Sequence, residues 1–537
     1  DITYRTVFNW QAGAIGQRDT LGNYADNNRT IALSGKLDFV KLYDNVGVLK
    51  KINSPQRSRS RVRPQNTPAA TDTVKQKKSL DQIPFTKVFL RTLMSVRSLT
   101  FNYDRSEGTV LPGFMPDVFL FGLDRSFSNP GLGFILGAQD AGIRNRLAGN
   151  GQYAPSQFLT SPFGQKRTTV FSYNALVEPF KDFRITLTGR KSFTDNYQEI
   201  FRNDPGTGSF VSINPNRSGT YDISFNMLKT AFKNDDSNNV SPLFENFEAF
   251  RSQVKNRLDG LNEAGTYDEN SQEVVIPAFI AAYSGKTPGE VKTSPFPKFP
   301  IPGWSIRYDG LGKIEALSEV FTSINVSHSY SSTYNVSNFV NSPLYTLGLT
   351  LDNSVTDAGL ASQFNENSSL VPIYLAQQVV LSESLAPFIG INVKTKSNWD
   401  LGFNYDRIRN IGLNLSNIQV TEATNNEISV NVGFAKTGVK IPFRINGRKE
   451  SLPNELNFNL VLAISDRKTV QRRIGEAPIV TDGLRIFRLS PTLDYQISEA
   501  LQLTLYYDKN VNEPRVSTSF LNARTSFGGR IRFNLSQ

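Results

Sequence analysis

The strongest regularity in the chain is a period of two. From Thr30 to Phe39, Ile31, Leu33, Gly35, Leu37 and Phe39 share one parity, while Thr30, Ala32, Ser34, Lys36 and Asp38 share the other. Such alternation puts one set of side chains on each face of a strand. Further along, Ile324, Val326, His328, Tyr330, Tyr334 and Val336 alternate with Ser323, Asn325, Ser327, Ser329, Ser331, Thr333, Asn335 and Ser337, a second face made wholly of hydroxyl and amide groups. Leu456, Phe458, Leu460, Leu462 and Ile464 form another face. Leu493, Tyr495 and Ile497 read as pairing with Leu501, Leu503, Leu505 and Tyr507 across a tight Ser498-Glu499-Ala500 turn. The last such segment sets Phe527, Gly529, Ile531, Phe533 and Leu535 against Arg524, Ser526, Arg530, Arg532 and Asn534. Roughly 12 to 15 strands pass this test.

A soluble sandwich would show the same alternation, with the apolar parity in a dry core. Length argues otherwise. Sandwich strands are commonly ~5 or 6 residues, whereas these runs often reach ~9 to 11, enough to cross a bilayer when tilted. One parity persists from Trp399 to Leu415 (Trp399, Leu401, Phe403, Tyr405, Ile411, Leu413, Leu415), which predicts a strand projecting beyond the membrane. Trp10, Tyr103, Tyr507 and Phe533 lie at run ends, where interfacial aromatic girdles sit. No stretch of ~18 apolar residues exists, so no transmembrane helix is expected. The longest apolar run is Val274 to Tyr283. The expected fold is therefore all-β: an antiparallel transmembrane β-barrel with a small helical insertion. Asp1 falls in what reads as the middle of a strand with no signal segment before it, as in a mature form or a fragment.

Residues 1–228 read as barrel strands interrupted by a basic flexible loop at about 44–87. Glu178-Pro179-Phe180-Lys181-Asp182 reads as a short turn between strands at 171–177 and 183–187. Segment 229–302 breaks the pattern. Ser241 and Pro242 form an N-cap and first-turn pair, Leu243, Phe247, Phe250, Val254 and Leu258 fall at helical spacing, and Gly260 supplies a stop. Val274 to Tyr283 is a second helix candidate, followed by Pro295, Pro297, Pro300 and Pro302. Two short helices in a compact insertion at one end of the barrel are expected. Residues 303–537 return to strands.

Charge changes the picture little. The net charge of +11 is concentrated between Lys50 and Lys78, where nine basic residues face only Asp72, which leaves +3 for the rest of the chain. That tract is rich in Ser, Pro, Gln and Thr and cannot bury enough apolar surface to order itself, so it reads as a solvated loop, with an acidic partner as the sharper alternative. It contains no aromatic residue, so a nucleic-acid partner is not expected. The 38 Phe and 19 Tyr follow the strand period instead.

Candidate chemistry is sparse. With no Cys and one His there is no disulfide framework, thiolate nucleophile, Cys-based metal site or His-rich centre. His328 lies on the apolar parity of its strand, where a packed surface imidazole outweighs a catalytic one. Asp235-Asp236 and Asp268-Glu269 lie in loop-like sequence, and Gly206-Thr207-Gly208 lacks the strand-to-helix context of a phosphate loop. No catalytic, cofactor-binding or metal residues are assigned, and neither an enzyme nor a cofactor is expected. One terminal pattern stands out: Ser526, Gly528, Ile531 and Phe533 resemble the β-signal that outer-membrane insertion machinery reads on the last strand of bacterial barrels. Here Asn534, Leu535, Ser536 and Gln537 follow Phe533, a departure from that pattern.

Several strings in order carry a wider resemblance: Arg217 to Asn226, Val275 to Tyr283, Asn325 to Tyr334, Leu413 to Glu422, and Arg515 to Phe520. Together they resemble the C-terminal part of the SprA/Sov family, the outer-membrane translocon of the type 9 secretion system of Bacteroidetes. The resemblance spans most of the chain and implies the closing arc of a very large barrel in the bacterial outer membrane. It implies a protein-conducting pore that exports folded cargo carrying a C-terminal secretion signal. The implied partners are a shuttle β-barrel, a periplasmic plug and other secretion components, outer-membrane lipids and lipopolysaccharide, and the remainder of the same barrel before Asp1. The alternatives are a smaller self-contained channel, such as a porin or lipopolysaccharide-assembly barrel, a barrel enzyme, and a soluble β-sandwich adhesin.

Overall fold

The computed structural model describes residues 1–47, 94–261, 266–292, 294–343, 351, 362–364, 370–372, 374–440, 451–452, 454–498, 501–516 and 519–533. The expected basic loop at about 44–87 therefore falls almost wholly outside the described residues, as do Glu499 and Ala500 of the expected tight turn.

The described residues form one large antiparallel sheet of fifteen strands and two small antiparallel pairs, Ser362–Phe364 with Leu370–Pro372 and Val439–Lys440 with Ser451–Leu452. The strands of the large sheet are β1 (Ile2–Gln11), β2 (Asn23–Asp38), β3 (Val96–Phe114), β4 (Phe163–Val177), β5 (Phe183–Asp204), β6 (Ser209–Ser224), β7 (Gly303–Tyr308), β8 (Phe321–Asn341), β9 (Tyr374–Thr395), β10 (Trp399–Asn414), β11 (Gln419–Lys436), β12 (Leu456–Arg473), β13 (Ile479–Ser498), β14 (Leu501–Pro514) and β15 (Asn522–Phe533). Apart from β6 and β7, each pairs with its neighbour in chain order, the up-and-down arrangement that the alternation predicts. Among the described residues β1 and β15 do not pair with each other, so the sheet is an arc with two free edges. No helix of the described residues is long and apolar enough to cross a membrane.

One strand position is shared. β6 pairs with the upper part of β5, from Lys191 opposite Ile223 to Asp204 opposite Ser209. β7 pairs with the lower part, from Phe183 opposite Tyr308 to Thr188 opposite Gly303. Both also pair antiparallel with β8. They are two halves of a single wall strand, interrupted between Ser224 and Gly303. The ladder is stitched across the break by Phe225 N donating to Ser332 O (2.8 Å) and Ile301 N donating to Ser224 O (3.0 Å). The insertion thus leaves the wall in mid-strand.

Two folded segments lie against the sheet. The first, within 115–162, carries α1 (Leu132–Ile135) and α2 (Ile143–Gly149). The sequence pattern gave this segment no separate status within 1–228. The second, 225–302, carries α3 (Pro242–Leu261) and α4 (Gln272–Ser284). Ser241 and Pro242 open α3 as expected, but α3 has 20 residues and runs through Gly260 to Leu261, so it is not short. Its buried residues Leu243, Phe247, Val254 and Leu258 are the face read from the helical spacing. α4 ends at Gly285, whose φ of 67° is the left-handed conformation that glycine adopts without steric cost. The Glu178–Asp182 turn joins β4 to β5 as expected.

Candidate functional site: the two faces of the wall

Cross-strand register defines what each face presents. On β10, the parity that starts at Trp399, Leu401, Phe403 and Tyr405 faces the same way as Ile389, Ile391 and Val393 of β9 and Val430, Val432 and Phe434 of β11. It continues through Phe458, Leu460, Leu462 and Ile464 of β12 to Phe487, Leu489 and Leu493 of β13. Leu503 and Leu505 of β14 and Ile531 of β15 extend it to one edge. In the other direction Ile306, Leu187, Ala175, Phe101, Leu33 and Tyr4 carry it to the other edge. This apolar band is open to its surroundings: Leu401, Phe403, Ile428, Ile464, Leu505, Phe527 and Ile531 are all exposed. Among the described residues the two other sheets have only three and two residue pairs, too few to cover a band of this extent. Soluble proteins rarely leave contiguous apolar patches beyond a few hundred Å² in water, and this band crosses the whole arc.

The band has a definite height. It runs from Trp399 to Tyr405 on β10 and from Phe487 to Ile497 on β13, seven and eleven residues. At about 3.3 Å per residue these stretches span roughly 20 to 36 Å along strands, the scale of an outer-membrane hydrocarbon layer crossed at a tilt. The upper border also shows stagger. The cross-strand row that starts at Arg105, the charged residue of this parity just above the band on β3, passes through Thr169, Phe193, Tyr221, Val336 and Val379 to Leu413 on β10. The border on β10 lies at Arg407, six residues below Leu413. Six residues over six strand steps is a shift of about one residue per strand, equivalent to a tilt of about 35° given the 4.8 Å strand spacing. From β10 to β13 the border keeps to one row, through Arg407, Asn426, Asp466 and Arg485.

Above the band the same face carries buried ion pairs. Arg217 donates to Asp195 through Nε (2.8 Å) and Nη2 (2.6 Å), and Arg167 also reaches Asp195 (3.3 Å). Arg105 and Arg29 both bind Glu107. Arg409 binds Glu383 (3.0 Å), and Arg472 binds both Glu422 (2.9 Å) and Asp235 (2.6 Å). Arg217, Arg409 and Arg472 are among the largest fully buried side chains of the protein. Such groups are tolerable only with several charge-assisted bonds each. Arg409 gains two more from the 225–302 insertion, donating to Thr230 O (3.1 Å) and Thr230 Oγ1 (3.0 Å).

Beyond the ion pairs the face turns apolar again and is covered by the two folded segments. Tyr221, Ile223, Tyr334, Val336, Val379, Leu381, Ile411, Leu413 and Val420 pack beneath α3 and α4, against Phe247, Val254, Val275, Phe279 and Tyr283. Ala25, Leu111, Phe163, Tyr197 and Phe201 pack beneath Phe134, Ile143, Leu147, Tyr153 and Leu159 of the first segment. The long parity from Trp399 to Leu415 thus has two environments: open below Arg407, protein-covered above Arg409. Tyr330, Tyr334 and Val336 are buried by the insertion too, where the period alone would have exposed them to lipid.

The opposite face is hydroxyl- and amide-rich throughout. Ser323, Asn325, Ser327, Ser329, Ser331, Thr333, Asn335 and Ser337 on β8 share it with Asn392, Asn404, Asn410, Ser429 and Asn431. Toward the C-terminal edge it gains Arg488, Arg524, Arg530 and Arg532, interspersed with Asp494 and Asp508.

The residues singled out in sequence are not brought to one point. His328 Nδ1 lies 2.7 Å from Phe388 O, and its ring packs against Trp304 and Phe388. Asp235 belongs to the ion-pair belt. Ser526 and Gly528 of β15 face the polar side opposite Asp508 and Tyr506, whereas Ile531 and Phe533 lie on the apolar side opposite Leu503 and Leu501. The buried Arg and Glu positions that build the belt fall on the apolar parity, and a charged residue at an apolar-parity position was the signal that could have found them.

No protein-family model matches the chain, and no curated protein matches it. Among solved structures, the chain is similar to a mutant ferric enterobactin receptor from Pseudomonas aeruginosa in complex with enterobactin, at 7% identity and TM-score 0.20, covering 100% of this chain and 71% of that one. A second structure of the ferric enterobactin receptor gives 7% identity and TM-score 0.21, covering 100% and 69%. Likeness at this level decides nothing about function, which has to be read from the residues of the wall.

Proposed function

We propose that this chain is the wall of a protein-conducting pore in a bacterial outer membrane, the type 9 secretion translocon. The observation that carries the reading is the two-sided arc: one face bears an uninterrupted apolar band of bilayer height, and the other bears amides and hydroxyls. In hydrocarbon every backbone N–H and C=O must be satisfied internally, which suits a strand wall that belongs to a closed ring. The polar face, mostly uncharged over β8 to β11, offers a hydrated surface along which a folded protein can move without strong adhesion. The strings resembling the SprA/Sov family support the choice of cargo: folded proteins bearing a C-terminal signal, delivered with a shuttle barrel and a periplasmic plug. The free edges at β1 and β15 favour this reading over a small porin-like channel, which would need those two strands to meet.

The chain has no Cys, so single-Cys labelling reads one site at a time. A membrane-impermeant maleimide is expected to label Ser327→Cys and Asn404→Cys in membranes and to leave Phe403→Cys and Val430→Cys untouched. Equal labelling of both sets would refute the wall. Deletion of the gene is expected to abolish export of many proteins while small-solute uptake persists. The reverse outcome would favour the self-contained channel.

A further inference from the structure

We propose that the seam where the 225–302 insertion re-enters the wall is a binding site for the phosphate-bearing headgroup of a membrane lipid, held by Lys191 and Lys298 with Phe299 beside its acyl chains. This rests on the reading of the wall as membrane-spanning. Lys191 lies on the apolar parity of β5, opposite Phe171 on β4 and Ile223 on β6. A lysine at that height is costly unless its ammonium reaches the polar layer or an anion. Its Nζ donates to the Lys298 carbonyl (3.2 Å) and sits 5.6 Å from the centre of the Tyr221 ring. Among the described residues no carboxylate forms an ion pair with it.

The segment that returns to the wall supplies the rest. Lys298 and Phe299 are both exposed, Phe299 at 68%. The Phe299 ring stacks on Tyr173 at 6.0 Å and 22°, and the Tyr173 hydroxyl donates to Pro300 O (2.9 Å). Tyr173 belongs to the apolar band, paired with Phe101. Phe299 is therefore stacked on Tyr173 of the band and exposed, with Lys191 one same-face step above Tyr173 and its ammonium at the Lys298 carbonyl. That is the order of groups a phosphorylated lipid presents: acyl chains below, anionic headgroup above. A similar juxtaposition occurs where the insertion leaves: Phe232 packs on Phe388 (5.0 Å) with the Arg407 guanidinium over its ring (5.5 Å), and Phe388 touches Tyr405, the last residue of the band on β10. A soluble anion would explain the lysines but leave Phe299 in water. A lipid satisfies both.

The test uses the protein extracted from its membrane with every strand of its wall, exchanged into phosphatidylcholine nanodiscs with lipid A or its dephosphorylated form added, and counts retained lipid by native mass spectrometry. The wild type is expected to retain lipid A over the dephosphorylated form. Lys191→Gln with Lys298→Gln is expected to weaken retention roughly tenfold or more, since each basic residue at an anionic surface contributes on the order of 1 kcal/mol. Phe299→Ser is expected to retain less of both lipids while keeping the preference for phosphate, which separates headgroup from chain contacts. Retention by the double variant equal to wild type, indifference to the phosphates, or displacement of lipid A by millimolar inorganic phosphate would each overturn the site. Recovery of the wild type in the carbonate-soluble fraction, outside membranes, would instead refute the membrane wall, and the site with it.

Discussion

Replacing Arg472 by Met should release the helical insertion from the wall without unfolding the wall itself. Arg472 on β12 is buried, donates to Glu422 on β11 (2.9 Å) and to Asp235 of the insertion (2.6 Å), and also approaches Asn239 O (3.4 Å). Methionine fills much of the same space but leaves two carboxylates facing each other in a dry site. Removing one partner of a buried pair costs roughly 3 to 5 kcal/mol. The lower end applies, because Lys468 remains 3.6 Å from Asp235 and Arg409 remains 4.0 Å from Glu422. About 3 kcal/mol corresponds to a population of the detached state raised roughly a hundredfold. Hydrogen exchange followed by mass spectrometry reads this directly: peptides spanning 228–241 and 272–284 should exchange about a hundredfold faster, while peptides from β12 and β13 stay unchanged. Adding Asp235→Asn and Glu422→Gln should recover most of the protection, because an uncharged site of similar volume no longer needs the guanidinium. Unchanged exchange in Arg472→Met alone would refute the claim that this ion pair fastens the insertion.

Three further outcomes turn on single residues. Glu273 in the first turn of α4 is buried with Oε2 unpartnered, and burial raises its pKa above the ordinary carboxylate value. A raised folded pKa contributes stability that is present in acid and lost as pH rises through it, so the insertion should be more stable at pH 5 than at pH 8. Glu273→Gln should remove that difference and stabilise at pH 8 by about 1 to 2 kcal/mol, measured by exchange in 272–284. Asp124 behaves oppositely: desolvation opposes ionisation, but bonds from the Asn129 and Ser126 side chains and the Ser128 and Asn129 backbone together hold it at about 2. The order of the 124–129 loop should therefore be constant from pH 5 to 8 and lost only as pH falls through about 2, whereas Asp124→Asn should loosen it at every pH, as read by exchange. Gly219→Ala would drive a methyl into the Thr194 carbonyl oxygen and the Phe339 ring. It should cost about 3 kcal/mol or more and abolish the heat-modifiable folded band on gels; a normally folded variant would show that β5 and β6 are not packed as described.

The strands were legible because both faces of the wall are continuous: Ile31 to Leu37 and Leu456 to Ile464 keep one parity against one environment each. Reading the apolar parity as lipid-facing failed above the border, because the period of two reports which face a side chain takes and not what covers that face. Tyr334, Val336, Leu381, Ile411 and Leu413 have the same parity and chemistry as Leu401 and Phe403, yet they are buried under α3 and α4. The charged residues within the parity, Glu383, Arg407, Arg409 and Glu422, mark the change of environment. The first folded segment was missed because its helices are 4 and 7 residues long and show no 3.6-residue face over a useful window. The mid-strand origin of the second was invisible because β7 has only six residues, too short to signal by alternation that it completes β6.

The free edges make the final demand on the wall. β15 has twelve residues, about half of whose N–H and C=O groups point away from β14, and the same holds for β1. Each such group left unsatisfied in hydrocarbon costs several kcal/mol, so an edge of this length is untenable by on the order of ten kcal/mol or more. Each edge must pair with some strand, and the two candidate readings differ in which one. A self-contained channel joins β1 to β15, whereas a larger wall places other strands beside each. Thr3 and Arg5 on β1, and Asn522, Arg524 and Ser526 on β15, all take the polar face near the upper border of the band, so in a ring that keeps that border level some cysteine pair drawn from the two sets lies within disulfide reach. Because the chain has no native Cys, oxidation of these variants in membranes reports the neighbour without background. The larger wall predicts no intramolecular β1–β15 cross-link for any pair, with each cysteine still accessible to a soluble reagent from the polar side. One efficient intramolecular link would close the ring at fourteen strand positions and rule out a lumen wide enough for folded cargo.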